Sequence, residues 1–168
     1  VIYTNLDVDS PLPRLERMLD TCRPKRFFAP VAHTGRVAEI LRKLEVSGVL
    51  LDVEQFLTEL ARQPKDNLAA TASVCGTNPA YIMFTSGSTG FPKGAVMTHA
   101  NVLNFVRWSQ QRFGITPKDV LTNVNPIHFD NSVFDFYSAL FTGATLVPFT
   151  AQWTQNPRLL VKAAGEAG

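Results

Sequence analysis

The 168-residue sequence predicts an α/β fold, a layered, mostly parallel sheet with helices on both faces. Short apolar runs alternate with segments whose apolar residues recur at helical spacing, and that alternation is the pattern of right-handed βαβ crossovers. The sequence is 45% hydrophobic with twelve phenylalanines, enough for an aromatic core, and a chain this long buries roughly 70% of its unfolded surface. No apolar run is long enough to span a bilayer.

Taken in order, residues 1–3 read as a short strand. Ser10 before Pro11 predicts an N-cap with proline at the first helical position, and Leu15, Met18, Leu19 and Cys22 give the helix one apolar stripe. A strand near residues 26–29 follows, then a helix over 35–44 with Val37, Ile40, Leu41 and Leu44 on one side. A strand at 48–53 and a third helix, with Phe56, Leu57 and Leu60 inward, complete this part. Residues 63–79 are rich in Pro, Asn, Asp, Thr and Ser and read as an irregular connection.

A strand over 80–84 delivers the chain into a Ser/Gly-rich loop, and residues 95–97 form a strand after it. Thr98 caps a helix over 99–113 with Val102, Phe105, Val106 and Phe113 inward and Gly114 at its end. Next come a strand at 120–124 and a helix with Val133, Phe136, Tyr137, Leu140 and Phe141 at helical spacing, ended by Gly143. A strand over 144–148 and a helix started by Asn156-Pro157 close the sequence. The expected organisation is a single α/β module: βα repeats over 1–62, the connection 63–79, strand, loop and strand over 80–98, and βα units over 99–168. Opening on Val1 and closing just after a helix, it reads as an excerpt of a longer chain.

The net charge of +2 is small and the basic residues are scattered apart from Arg23, Lys25 and Arg26, so no nucleic-acid partner is expected. Cys22 and Cys75 lie far apart with no metal-ligand spacing, which predicts neither a disulfide framework nor a metal site. With no signal peptide visible, a reducing cytoplasm is the expected compartment.

Two stretches carry chemistry. The first, residues 85–94, reads Thr-Ser-Gly-Ser-Thr-Gly-Phe-Pro-Lys-Gly. Glycines let backbone N–H groups curve around an anion, the hydroxyls of Thr85, Ser86, Ser88 and Thr89 donate to its oxygens, and Lys93 adds a mobile positive charge. The Walker A pattern fails here, because Pro92 stands where its second glycine belongs and Gly94 follows the lysine. The expected element is a phosphate cradle between two strands.

The second stretch, residues 126–135, reads Pro-Ile-His-Phe-Asp-Asn-Ser-Val-Phe-Asp and places Asp130 at a helix start. On local physics alone Asp130 is a helix cap, worth roughly 0.5–2 kcal/mol. Phe134 lies off the Val133/Phe136/Tyr137 stripe, so it either walls a pocket or packs on a neighbouring helix. His33, His99, His128, Asp135 and Trp153 read as structural residues, with a substrate contact the alternative for His128.

The loop sequence resembles the phosphate-binding signature of the adenylate-forming superfamily, which includes acyl-CoA synthetases, luciferases and adenylation domains of nonribosomal peptide synthetases. Phe129-Asp130-x-Ser132 is similar to the Phe-Asp-x-Ser motif of its amino-acid-activating members, and Leu6, Asp7, Pro11, Arg14 and Leu15 resemble an early family segment, with Thr4-Asn5 in place of Val-Pro. The resemblance implies that Thr85, Ser86, Gly87, Ser88, Thr89, Gly90 and Lys93 grip the phosphates of ATP, accompanied by Mg2+. It further implies that Asp130 pairs with a substrate ammonium, with Asn131 and Phe134 as pocket walls, and that Thr98-His99 supports the loop. The implied activity is amino acid adenylation with release of pyrophosphate, then transfer to the phosphopantetheine thiol of a carrier protein. The alternatives are an acyl- or aryl-acid ligase using coenzyme A, and a phosphate-binding module without chemistry. The family's later motifs are absent from these residues, so the excerpt alone is expected to be inactive.

Overall fold

The computed structural model describes residues 1–7, 9–66, 73–86 and 91–167. The chain divides into two compact units, one of Leu6–Ser73 with Phe84–Gly94, the other of Val1–Asn5, Val74–Met83 and Ala95–Gly168.

The first unit is built on α1 (Leu12–Cys22), β1 (Arg26–Ala29), α2 (Val31–Lys43), β2 (Val49–Asp52) and α3 (Val53–Leu60). β1 and β2 pair in parallel with Phe27 opposite Leu50. Leu15 and Leu19 from α1, Phe27 from β1, and Ile40 and Leu41 from α2 form the core, as the helical stripes predict. Gly48 is required beside β2, because a Cβ there would collide with the Phe27 ring.

Three expectations are corrected here. Ser10 does not cap α1: its hydroxyl donates to Asp7 Oδ2 at 3.0 Å, and Pro11 takes the N-cap position. α2 starts at Val31 with Pro30 as its N-cap, so Gly35 lies inside it. Leu57 and Leu60 of α3 are exposed rather than inward; only Phe56 packs, edge-on to Phe28 at 4.9 Å. A period fixes which residues share a helix face, whereas burial needs an element to cover it.

The second unit contains α4 (His99–Phe113), β5 (Val120–Asn123), α5 (Ser132–Thr142), β6 (Thr145–Pro148), α6 (Ala151–Thr154) and α7 (Pro157–Ala167). The strands β3 (Pro79–Ser86) and β4 (Pro92–Thr98), which pair with each other, contribute residues to both units. β5 and β6 pair in parallel, Leu121 opposite Leu146. The predicted strand over residues 1–3 reduces to one parallel bridge, Tyr3 to Tyr81, with the Ile82 N–H donating to the Tyr3 carbonyl at 2.9 Å. The α/β class is borne out; among the described residues the strands pair in three two-stranded pieces.

α4 begins as predicted. The Asn101 N–H donates to Thr98 Oγ1 at 3.2 Å, and Asn101 Oδ1 accepts from the Thr98 N–H at 3.0 Å, a reciprocal cap. Gly114 and Gly143 terminate α4 and α5 at φ +65° and +77°, the left-handed region that glycine enters without a Cβ penalty. The buried faces differ from expectation. Val102 and Val106 of α4 are buried as predicted, but Phe113 is 58% exposed and Ser109 joins the buried face. α5 exposes Phe136, Leu140 and Phe141 and buries Ser132, Ser138 and Ala139. Its small side faces α4, where the hydroxyls of Ser109 and Ser138, both fully buried, bond at 2.9 Å. Small residues let the two helices approach, and each hydroxyl satisfies the other.

Ser138→Val removes that hydroxyl and adds volume at a contact without space, so urea unfolding of the chain is expected to show a loss of about 1–3 kcal/mol. Ser138→Ala leaves Ser109 bonded to the Val106 carbonyl at 2.9 Å and is expected to cost only about 1 kcal/mol.

Candidate functional site

The loop before α5 carries the Phe-Asp-x-Ser residues, and hydrogen bonds fix its path. Asn5 Nδ2 donates to the Ile127 carbonyl at 3.0 Å. The Ser132 hydroxyl, 4% exposed, donates to the Phe129 carbonyl at 2.6 Å and lies 3.3 Å from that of Ile127. The serine of the motif therefore staples the turn that presents the aspartate.

Asp130 is not the helix cap that local physics favours. The N-cap of α5 is Asn131, which makes no side-chain cap bond, and Asp130 gives the helix only its backbone carbonyl, accepting from the Val133 N–H at 3.0 Å. One residue outside the N-cap, its carboxylate makes no cap bond to the helix end. It opens instead on a cavity of about 480 Å3, together with Asn131 and Phe134. All three residues that the motif suggests thus share one cavity wall.

The opposite walls come from residues that the sequence reading treated as core or left unmarked: Tyr81 on β3, Met97 on β4, and Asn101, Val102 and Phe105 on α4. Their periodicity is that of ordinary packing, and nothing local sets them apart. Phe134 is positioned by ring contacts, edge-on to Phe113 at 5.2 Å and to Phe105 at 6.5 Å. The cavity is apolar at Val102, Phe105 and Val133, and polar where Asn101, Asn125, Asp130, Asn131 and Asp135 meet it. Such a site can orient a small molecule that bears a cation on an otherwise apolar body.

Asp135, expected to be a plain structural carboxylate, is half-buried on this cavity, and its Oδ2 is buried without a partner. Burial pushes its carboxyl above the usual carboxylate range, opposed by the Asn123 side chain, the Val124 N–H and the Asn125 side chain. Burial also raises the Tyr81 phenol, and the charges of Tyr137 and Asp130 raise it further.

Of the phosphate loop, Gly87, Ser88, Thr89 and Gly90 lie outside the described residues, as does the Ser86 side chain. Thr85 ends near its partner strand, with its hydroxyl 3.4 Å from the Lys93 carbonyl, and the Lys93 side chain is exposed. Phe91 is held under the Arg17 guanidinium, 4.4 Å from the ring centroid. Behind the loop the His99 N–H donates to the Asn78 carbonyl at 3.0 Å. His128 is half-buried against the Phe129 ring at 4.7 Å and is not among the cavity-lining residues.

The family model for AMP-binding enzymes matches residues 1–166. An L-proline:L-prolyl-carrier-protein ligase of Pseudomonas fluorescens is 33% identical over 160 residues, covering 95% of this chain and 32% of the relative. The nonribosomal peptide synthetase FmoA3, in its alpha-methyl-L-serine-AMP bound form, is similar in structure with a TM-score of 0.76 at 26% identity, over 97% of this chain and 17% of that one. ATP-bound MatB from Rhodopseudomonas palustris shares the fold, with a TM-score of 0.79 at 22% identity over 99% of this chain and 33% of that one. The chain spans about a third of the length of two of the curated relatives it matches, 32% and 30%, and only 5% and 2% of two others.

The raised carboxyl of Asp135 gives a pH signature. The folded chain holds this proton more tightly than the unfolded chain, so the contribution to stability is complete below the ordinary carboxylate value and is lost as pH rises through the folded one. Asp135→Asn, permanently neutral, is therefore expected to melt above the wild type at pH 7, with the difference vanishing in acid. Thermal melts of both proteins from neutral pH to pH 3 check this, and a difference that grows in acid contradicts it.

Proposed function

The chain belongs to the AMP-binding enzyme family, and from that premise we propose that it supplies the amino-acid cavity and the phosphate loop of an ATP-dependent ligase that makes an aminoacyl-AMP. The observation that carries this reading is the Asp130 carboxylate, which is not spent on capping α5 and opens on a cavity with Asn131 and Phe134. A carboxylate about 4 Å from an ammonium in a partly shielded site gains on the order of 4 kcal/mol before desolvation is charged against it. A ligand without the amino group leaves that carboxylate unpaired, so the cavity discriminates against plain carboxylic acids.

In the proposed reaction an oxygen of the substrate carboxylate attacks the α-phosphorus of ATP, the bond from that phosphorus to the bridging oxygen breaks, and pyrophosphate leaves with the electron pair. Thr85, Ser86, Gly87, Ser88, Thr89 and Gly90 hold the phosphates, and Lys93 neutralises charge on the departing pyrophosphate. The thiol sulfur then attacks the acyl carbon and loses its proton to solvent, the bond from that carbon to the phosphate oxygen breaks, and AMP leaves. The P. fluorescens relative is named for a carrier protein, which supports a phosphopantetheine thiol over coenzyme A as the acceptor. Among the described residues no three His, Cys, Asp or Glu side chains gather to hold a metal ion, and no step here is assigned to Mg2+. No helix among the described residues is long and apolar enough to cross a membrane, and an ATP-consuming reaction of this kind belongs in the cytoplasm.

The test is amino-acid-dependent ATP-pyrophosphate exchange by the whole protein, with amino acids and their deamino analogues as substrates. Exchange is expected to require the amino group and to fall on the order of 100-fold or more in Asp130→Ala. Lys93→Ala is expected to lose roughly 100- to 1000-fold in rate, as for one well-placed electrostatic donor. Exchange with deamino acids that survives Asp130→Ala makes the protein an acyl-acid ligase instead.

A further inference from the structure

Tyr81 sits on β3 with its ring 5% exposed, and two other tyrosines fix that ring. The Tyr3 ring lies 5.7 Å from it, tilted by 36°, and the Tyr137 ring stacks on it at 6.2 Å and 22°. The hydroxyls of Tyr3 and Tyr137 bond to each other at 2.7 Å. Both rings pack against that of Tyr81, and Tyr81 lines the cavity together with Asp130. A strand residue clamped in this way can swing very little, because its backbone is bridged to Tyr3 as well.

Resting on the reading of the cavity as an amino-acid site, we propose that Tyr81 is a second substrate-contacting residue: its phenol oxygen accepts a hydrogen bond from the substrate ammonium beside Asp130, while its O–H donates to the Asp130 carboxylate. The chemistry suits both partners. An ammonium brings several donors, and one carboxylate does not take them all; a neutral oxygen adds an acceptor without a second negative charge in a largely apolar cavity. Donation from the phenol also pairs a carboxylate lone pair that the ammonium leaves unused. The raised phenol keeps its proton throughout the neutral range, so the donor role is constant there. Sequence reading passes over Tyr81 because a tyrosine inside an apolar strand looks like core, and most of its ring is.

Tyr81→Phe separates the two roles, since it keeps the ring against Tyr3 and Tyr137 and removes only the hydroxyl. The experiment is ATP-pyrophosphate exchange by the whole protein, wild type beside Tyr81→Phe and Asp130→Ala. The probe is the protein amino acid with the fastest wild-type exchange. Expected is a rise in the KM for that amino acid on the order of 10- to 100-fold, the loss of one hydrogen bond to a charged group, with the KM for ATP and the melting temperature unchanged. An amino-acid KM equal to wild type in Tyr81→Phe, beside collapse in Asp130→Ala, overturns the role of Tyr81 and leaves the amino-acid reading standing. Parallel rises in both KM values, or a lowered melting temperature that accounts for the change, also overturn it by making Tyr81 merely structural. A wild type without amino-acid-dependent exchange removes the premise and this inference with it.

Discussion

The contact between α4 and α5 at Ser109 and Ser138 is the constraint on which the candidate site depends. Both side chains are fully buried, and a buried hydroxyl without a partner costs about 1–3 kcal/mol. Bonded to each other at 2.9 Å, they turn that cost into a register mark, since the pair closes only when the two helices meet at these positions. Val102 and Phe105 are then set on one side of the cavity and Val133 and Phe134 on the other. A larger residue at either serine would push the helices apart. The walls of the site are thus spaced by a polar contact that no ligand touches.

Aromatic packing refines what the helices set. Phe134 is held edge-on by Phe113 and Phe105, and Phe113 in turn meets Trp108 at 5.8 Å, so the wall residue belongs to a chain of rings along α4. Edge-to-face contacts of this kind fix ring orientation as well as position. Tyr3, Tyr81 and Tyr137 form a second group of rings, of which Tyr81 lines the cavity. Asp130 lines the same cavity from a turn stapled by Ser132 and Asn5. A carboxylate on a pinned turn between pinned rings is preorganised, and little ordering remains to oppose binding.

The phosphate-loop stretch is supported differently. Its described part rests on strand geometry and on the Arg17 guanidinium over Phe91, while Lys93 projects to solvent. An exposed lysine on a strand is a mobile point charge, suited to following a phosphate group rather than to fixing one geometry. Under the proposed function, the rigid walls would suit the small organic body and the flexible charge the polyphosphate.

Several features were legible from the residues alone. The alternation of strands and helices, the Thr98 cap, the glycine stops at 114 and 143, and the core stripe Leu15, Leu19, Ile40 and Leu41 all depend on neighbours a few residues away. The two motifs belong to the same class, and they single out Asp130, Asn131 and Phe134 before any coordinates. What the sequence could not decide was which face of an element is covered. The period of α5 points to the Phe136/Leu140 side, yet contact with α4 buries the Ser138/Ala139 side, because only small side chains allow that approach. Whether Asp130 caps α5 rests on a single residue of offset, and helix ends are uncertain by more than that from sequence. The opposite cavity wall, with Tyr81 and Phe105 brought to Asp130 from distant positions, exists only once β3, α4 and α5 are packed, because proximity in space is not written in local spacing.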